Sequence, residues 1–191
     1  MTEKLRVAVV IGSTREGRFG PTVAAWAAAE ARRHPELEVT VLDLAGIPLP
    51  HALGARPANP TDLDAASVVL ADADAFVIVT PEYNHSFPGV LKNFIDTHYD
   101  QWRAKPVAFV SYGGMAGGLR AVEQLRLVFA ELHCVTVRDT VSFHNPWGRF
   151  DDDGRPHEHE AAATAAKGMF DQLAWWARTL RDARTARPYA A

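Results

Sequence analysis

Apolar and polar positions along the chain alternate between two rhythms. Leu5–Ile11 (LRVAVVI) is a short, almost unbroken apolar run that stops at Gly12. A run of this length without alternation suits a strand covered on both faces. Similar runs at 37–44, 75–80, 106–112 and 135–143 predict four more strands. Between them the apolar spacing lengthens to three and four. Val23, Trp26, Ala27 and Ala31 mark a helix over 21–33, opened by Pro21, whose missing N–H is no loss at a first helical position. Thr61 or Asp62 is the expected cap of a helix reaching 72. A helix starting at Pro88 carries Val90, Leu91, Phe94 and Ile95. Leu119, Val122, Leu125, Phe129 and Leu132 share one helix face, as do Ala162, Ala166, Met169, Leu173, Trp176 and Leu180 within 160–181. Residues 45–60, 81–87, 113–118 and 144–156 have no period and read as loops, and 185–191 as a frayed tail.

Strand and helix alternate five times without a repeat or linker. That predicts one α/β domain over 1–184, a parallel sheet with helices on both faces, because parallel strands need right-handed crossovers. Ligands of such sheets sit beyond the carboxyl ends of the strands, so the loops after strands one, three and four become the candidates.

Composition narrows the function. With 48% apolar and 23% charged residues among 191, the chain can fill a core, which excludes disordered and fibrous classes. A net charge of -3 leaves no basic excess for general nucleic-acid binding. The single cysteine, Cys134, excludes a disulfide framework or cysteine-built zinc site and suits a reducing compartment. No apolar run reaches membrane-spanning length and residues 1–6 carry no signal-peptide core, so a soluble cytoplasmic protein is expected.

The first loop reads Gly12-Ser13-Thr14-Arg15-Glu16-Gly17-Arg18-Phe19-Gly20 and runs into a helix. A helix N-terminus attracts phosphate, Ser13 and Thr14 add hydroxyl donors, and Arg15 and Arg18 add forked cations. Phe19 stands where a nucleoside triphosphatase needs a magnesium-binding hydroxyl, and glycines at 12, 17 and 20 do not make GxGxxG. A terminal monophosphate fits better; the plain alternative is a tight turn with solvated arginines. The second loop, Pro81-Glu82-Tyr83-Asn84-His85-Ser86-Phe87-Pro88, is rigid and mixed in polarity. Tyr83 can cover a planar ring while Asn84 and backbone N–H groups meet its edge. In the third, Ser111-Tyr112-Gly113-Gly114, the glycines let backbone approach a flat ligand closely. A phosphate seat beside a planar slot describes FMN.

GSTREGRFG, PEYNHSFPGVLKNFID and SYGGMAGG, in that order, resemble the NAD(P)H-dependent FMN reductases of the flavodoxin-like superfamily, relatives of quinone, azo-dye and chromate reductases. The resemblance runs from Val7 to about Val141. It implies a flavodoxin-like three-layer sandwich with a 2-1-3-4-5 sheet, tightly bound FMN, NADPH or NADH as co-substrate, and a homodimer or dimer of dimers. It places phosphate on Ser13, Arg15, Arg18, Phe19 and Gly20, and the ring on Pro81, Glu82, Tyr83, Asn84, Ser111, Tyr112, Gly113 and Gly114. Phe94 and Arg18 depart from common family choices; Phe94 is expected to narrow a dimer-side wall, and Arg18 to strengthen or cover the phosphate seat. Hydride chemistry resides in the cofactor, so no catalytic acid, base or nucleophile is expected. Donor and acceptor are expected to alternate at one flavin, in ping-pong fashion, with N–H groups of the Gly113–Gly114 turn stabilising the reduced ring. The acceptor would be a quinone, azo compound, free flavin or similar small molecule. A flavodoxin-type electron carrier and a regulatory flavin-binding protein are the alternatives; carriers are usually more acidic than this chain.

Other conspicuous residues have plainer readings. His157, Glu158, His159 and Glu160 read as a solvated helix start rather than a metal site, since positions two apart do not share a helix face. His85 can touch substrate or lie on the surface. Cys134 reads as a small buried side chain. Of Trp175 and Trp176 only one can face the core, the other being free for a subunit contact. Phe87, Leu91, Phe94 and Ile95 read as core and interface, with 90–98 against a symmetry mate. Arg56 or an arginine in 144–156 can read a 2′-phosphate.

Overall fold

The computed structural model describes residues 3–190 apart from 51 and 53. The expectations touching residues 1, 2, 51, 53 and 191 lie outside the described residues. Five strands, β1 (Leu5–Ile11), β2 (Leu37–Asp43), β3 (Ala75–Pro81), β4 (Pro106–Gly113) and β5 (Val135–His144), form one parallel sheet in the order β2-β1-β3-β4-β5. Five helices connect and flank them: α1 (Gly20–Arg33), α2 (Thr61–Asp72), α3 (Gly89–Thr97), α4 (Leu119–Glu131) and α5 (His159–Ala186). This is the flavodoxin-like sandwich, with the expected strand order.

The pleat sorts side chains between two cores. Val7, Val9 and Ile11 of β1, Val77 and Val79 of β3, and Val110 and Tyr112 of β4 face α1 and α5, where alanines let both helices approach closely. Val10, Phe76, Ile78 and Phe109 face α2, α3 and α4. That second core is aromatic: Trp102, fully buried just beyond α3, sits 4.5 Å from Phe76, 6.1 Å from Phe94 and 5.5 Å from Phe129, ring centre to ring centre, edge to face. Central strands β1, β3 and β4 are buried almost along their whole length, which explains their unbroken apolar runs.

Several boundaries move for local reasons. β2 stops at Asp43, whose carboxylate accepts from the Ala45 N–H and turns Leu44 into a short 3₁₀ helix. Neither Thr61 nor Asp62 caps α2. Pro60 holds the cap position, and the Asn59 side chain accepts from the Thr61 N–H at 3.3 Å and its hydroxyl at 2.9 Å. α5 runs past 181 to Ala186, and beyond it the Tyr189 hydroxyl meets His133 Nδ1 at 2.8 Å, so this stretch is docked rather than frayed. Phe94 is 0% exposed, packed against His98 and edge-on to Trp102, and forms no outward wall. α3 spends its apolar face, Leu91, Phe94 and Ile95, on its own sheet. Trp175 is 61% exposed while Trp176 packs on the core.

Candidate functional site

Register brings the carboxyl ends of the strands to one rim: Ile11 lies beside Asp43, Pro81 beside Tyr112, and Gly113 beside His144. Immediately beyond, Gly12 donates its N–H to Val79 O at 2.8 Å. A Cβ there would sit 3.0 Å from the Leu91 side chain and 3.1 Å from that carbonyl, so only glycine lets the first loop leave the sheet so close to β3.

The first loop turns over Gly17, at φ +65°, and enters α1 without a side-chain cap and with no acidic residue in the first turn. The helix mouth therefore presents donors and the positive end of its dipole. Ser13 is fully buried and its hydroxyl shares a 2.7 Å hydrogen bond with that of Tyr83, which fastens the first loop to the second. Arg15 and Thr14 are exposed on the loop, and Phe19 packs edge-on to Phe150 at 5.3 Å. Arg18 is not a free fork. Its two terminal nitrogens each donate to one Asp43 oxygen at 2.6 Å, and one also donates to the Ser13 carbonyl. That pair holds the Asp43 carboxyl below the usual carboxylate range, chiefly through the hydrogen bonds. Arg18 thus braces the loop against the end of β2, and Arg15 is the arginine left open to a ligand.

In the second loop Tyr83 and Ser86 exchange backbone hydrogen bonds at 2.8 and 3.0 Å, with Asn84 at φ +49° and His85 at φ +67° between them. Two consecutive positive φ values make a type I′ turn, which asparagine tolerates and histidine adopts under strain. Asn84 is exposed at the tip. Glu82, its side chain only 7% exposed, does not open toward a ring: it receives Nε of Arg120 at 2.5 Å and the Arg120 backbone N–H at 3.3 Å. Arg120 in turn donates to His85 Nε2 at 2.6 Å, and Gln124 donates to His85 O at 2.7 Å while accepting from Ser86 at 2.6 Å. Arg120 and Gln124, absent from the sequence-based site, tie the second loop to α4. The spacing GGLRxxxQ at the start of a helix is the signal that could have found them.

The third loop is held from below. The hydroxyls of Ser111 and Ser142 both donate to Gly117 O at 2.8 Å, His144 Nδ1 donates to Met115 O at 2.9 Å, and Asn145 donates its N–H to Gly113 O at 2.7 Å. Gly117 and Gly118 have φ of +59° and +87°, positions that side chains rarely adopt. Gly114 lies open, its nearest outside atom the Asn145 side-chain oxygen at 3.9 Å from an added Cβ. Met115 stands 92% exposed at the tip. Tyr112 points the other way, into the α1 core, its hydroxyl beneath Gly20, and burial raises its pKa above the ordinary value. Its backbone, not its ring, belongs to the rim.

The structure thus brings all three loops to one edge, and the donor set fits FMN: an uncapped helix mouth with Arg15 for a phosphate, and the Tyr83–Ser86 turn and the exposed backbone of Gly114 for a flat ring. Of the arginines suggested for a 2′-phosphate, Arg56 pairs with Asp64 at 2.7 Å and Arg149 pairs with Glu158 at 3.1 Å. Among the described residues no three His, Cys, Asp or Glu side chains group as a metal site, and no helix is long and apolar enough to cross a membrane.

Residues 5–148 match the family model described as NADPH-dependent FMN reductase. An NAD(P)H-dependent FMN reductase of Schizosaccharomyces pombe is 35% identical over 122 residues, which span 59% of this chain and 60% of that protein. A quinone reductase of Pseudomonas putida is 30% identical over 95% of this chain and 99% of its own length. Among solved structures, a flavoenzyme NAD(P)H:acceptor oxidoreductase from Paracoccus denitrificans superposes with a TM-score of 0.72 at 24% identity, covering 92% of this chain and 98% of that one. The chain belongs to the NADPH-dependent FMN reductases, an oxidoreductase family that pairs FMN with a nicotinamide donor.

Proposed function

We propose that this protein is an FMN-holding, NAD(P)H-dependent reductase of a small planar acceptor such as a quinone, with donor and acceptor using one opening in turn. FMN held there would supply the chemistry of accepting a hydride from a reduced nicotinamide and releasing two electrons. The observation that carries this reading is the fastening of three loops at one rim, through the Ser13–Tyr83 hydroxyl pair and the Glu82–Arg120 ion pair, beside the open backbone of Gly114. The chain's own residues supply position rather than proton chemistry. Arg15, Ser13 and the α1 mouth hold the phosphate. Phe19 and Gly20 shape that seat, and Arg18 braces it. The 81–84 segment and Ser111 to Gly114 bound the ring, with backbone N–H groups of Gly113 and Gly114 at its edge. A relative named quinone reductase supports the acceptor class. Residues 1–184 form the FMN-binding unit, which works in the cytoplasm as a homodimer or a dimer of dimers, a role for which the exposed Trp175 is suited.

Anaerobic addition of NADPH, then NADH, to the FMN-loaded protein tests the reading: the flavin absorbance bleaches, and a benzoquinone restores it. Initial rates at varied donor and acceptor give parallel double-reciprocal lines. No bleaching with either nicotinamide overturns the reductase and leaves a carrier; converging lines overturn the alternation alone. Sedimentation velocity reads the assembly.

A further inference from the structure

At the opposite end of the sheet lies a cavity of about 420 Å³ lined by Ala71, Asp100, Gln101, Arg103, Lys105, Arg184 and Tyr189. Three of those side chains are cations and one is an acid. Asp100 is largely exposed and touches Arg103 at 3.3 Å. The basic groups are built in rather than splayed on the surface. Lys105 is 6% exposed and donates to Leu70 O and Ala71 O at 2.8 Å each, which uses two of its three N–H bonds. The Arg103 guanidinium lies 5.7 Å from the centres of both the Tyr99 and Tyr189 rings, and its Nε is buried with no hydrogen-bond partner among the described residues. Arg184 donates to Ala104 O and stands 3.7 Å from Asp74, whose carboxylate also takes the Arg6 N–H at 2.9 Å and Arg181 at 3.5 Å. Asp74 therefore serves the wall behind the cavity, and the front keeps unspent donors.

A buried donor without a partner is expensive to leave so, and a cluster of cations around a hollow is most readily completed by an anion. We propose that this cavity is a second anion site, for a small oxyanion of the phosphate or dicarboxylate type, held by Arg103, Lys105 and Arg184 under Tyr189. The site is separate from the three-loop rim and independent of the activity there. Burial and the neighbouring Arg184 lower the Lys105 pKa to about 8, with Asp74, Cys134 and Asp72 opposing, so an anion arriving at Lys105 favours its charged form. Binding therefore takes up protons near that pH.

The test uses FMN-saturated protein, so that the rim cannot take the probe. Inorganic phosphate and, separately, malonate are titrated calorimetrically at pH 8 in two buffers of different ionisation heat. Saturable binding with net proton uptake is expected for at least one probe, and which one binds separates phosphate from carboxylate. Lys105→Met abolishes the proton uptake and weakens binding about ten-fold or more, and Arg184→Gln weakens it similarly. Tyr189→Ala, which removes the cover and its bond to His133 but none of the three cations, keeps the proton uptake with a several-fold weaker constant. Donor-dependent flavin reduction stays unchanged in all three. Absence of saturable heat with both probes, or an equal response in wild type and Lys105→Met, overturns the site.

Discussion

Lys105 carries an ammonium into a place where 6% of the residue is exposed, and its pKa falls to about 8 from 10.5. Between those values the unfolded chain holds the proton more tightly than the folded one, so stability rises with pH. The gain from pH 8 to pH 9 is about 1 kcal/mol in anion-free buffer. Above pH 9 Cys134 opposes it: burial raises that thiol to about 12 from 9.0, so the unfolded chain releases a proton that the folded one keeps. Urea unfolding across this range should show a rise and then a plateau. In Lys105→Met the rise disappears, and in Cys134→Ala it continues past pH 9. A flat wild-type profile between pH 8 and 9 would remove the premise. Gly117 is a residue of the opposite kind, defined by what it lacks. It combines φ +59° with a close approach to Ser142 and His144, whose atoms a Cβ would overlap. Gly117→Ala should lower stability by about 3 kcal/mol and weaken FMN binding, because the third loop loses its two serine anchors. Thermal melting and flavin titration on the same sample check both.

The Tyr83–Ser86 turn and the first turn of α4 behave as one element, joined by Glu82, His85, Arg120 and Gln124. Glu82→Gln halves the charge-assisted bonding and leaves Arg120 to solvent. The loss of stability is modest, about 1–2 kcal/mol after allowing for the exposure of Arg120. The larger effect falls on the site: the strained turn loosens, and FMN affinity drops about ten-fold with little change in sheet stability. Equilibrium dialysis beside urea unfolding separates the two, and equal losses in both would make the pair merely structural. Elements of this molecule were legible to different degrees for physical reasons. Continuous apolar runs located β1, β3 and β4 because those strands are covered on both sides, and the three rim loops were legible because their glycines, prolines and hydroxyls break the pattern. Partnerships between charges were not legible. Nothing in the spacing of Arg18 and Asp43, or of Glu82 and Arg120, says that a fork expected on a phosphate brings two strand ends together, or that a carboxylate expected at a ring edge is spent on a helix start. Phe94 shows the same thing: its amphipathic spacing marks a buried position, but not whether its own sheet or another subunit buries it, and here its own sheet does.

At the scale of the whole molecule, the two ends of the sheet are stabilised unequally. The amino end is tied by long-range pairs that need no ligand: Arg178 to Glu36, Arg181 and Arg184 to Asp74, and Tyr189 to His133. The carboxyl end closes through three loops whose tips, including Arg15, Asn84 and Met115, project into solvent. A ligand that bridges those tips binds the folded chain and not the unfolded one, so it adds stability in proportion to the logarithm of its concentration over its dissociation constant. FMN at about a hundred times that constant should add about 2.7 kcal/mol, which for a chain of this size raises the melting temperature by roughly 5–10 °C. The increment should shrink in Arg15→Gln and in Tyr83→Phe, which breaks the hydroxyl pair with Ser13, and stay whole in Tyr189→Ala at the far end. Scanning calorimetry with and without FMN reads all four proteins. An unmoved transition in the parent chain would mean that the three loops do not share a ligand, and a reduced increment in Tyr189→Ala would mean that the two ends of the sheet are coupled rather than independent.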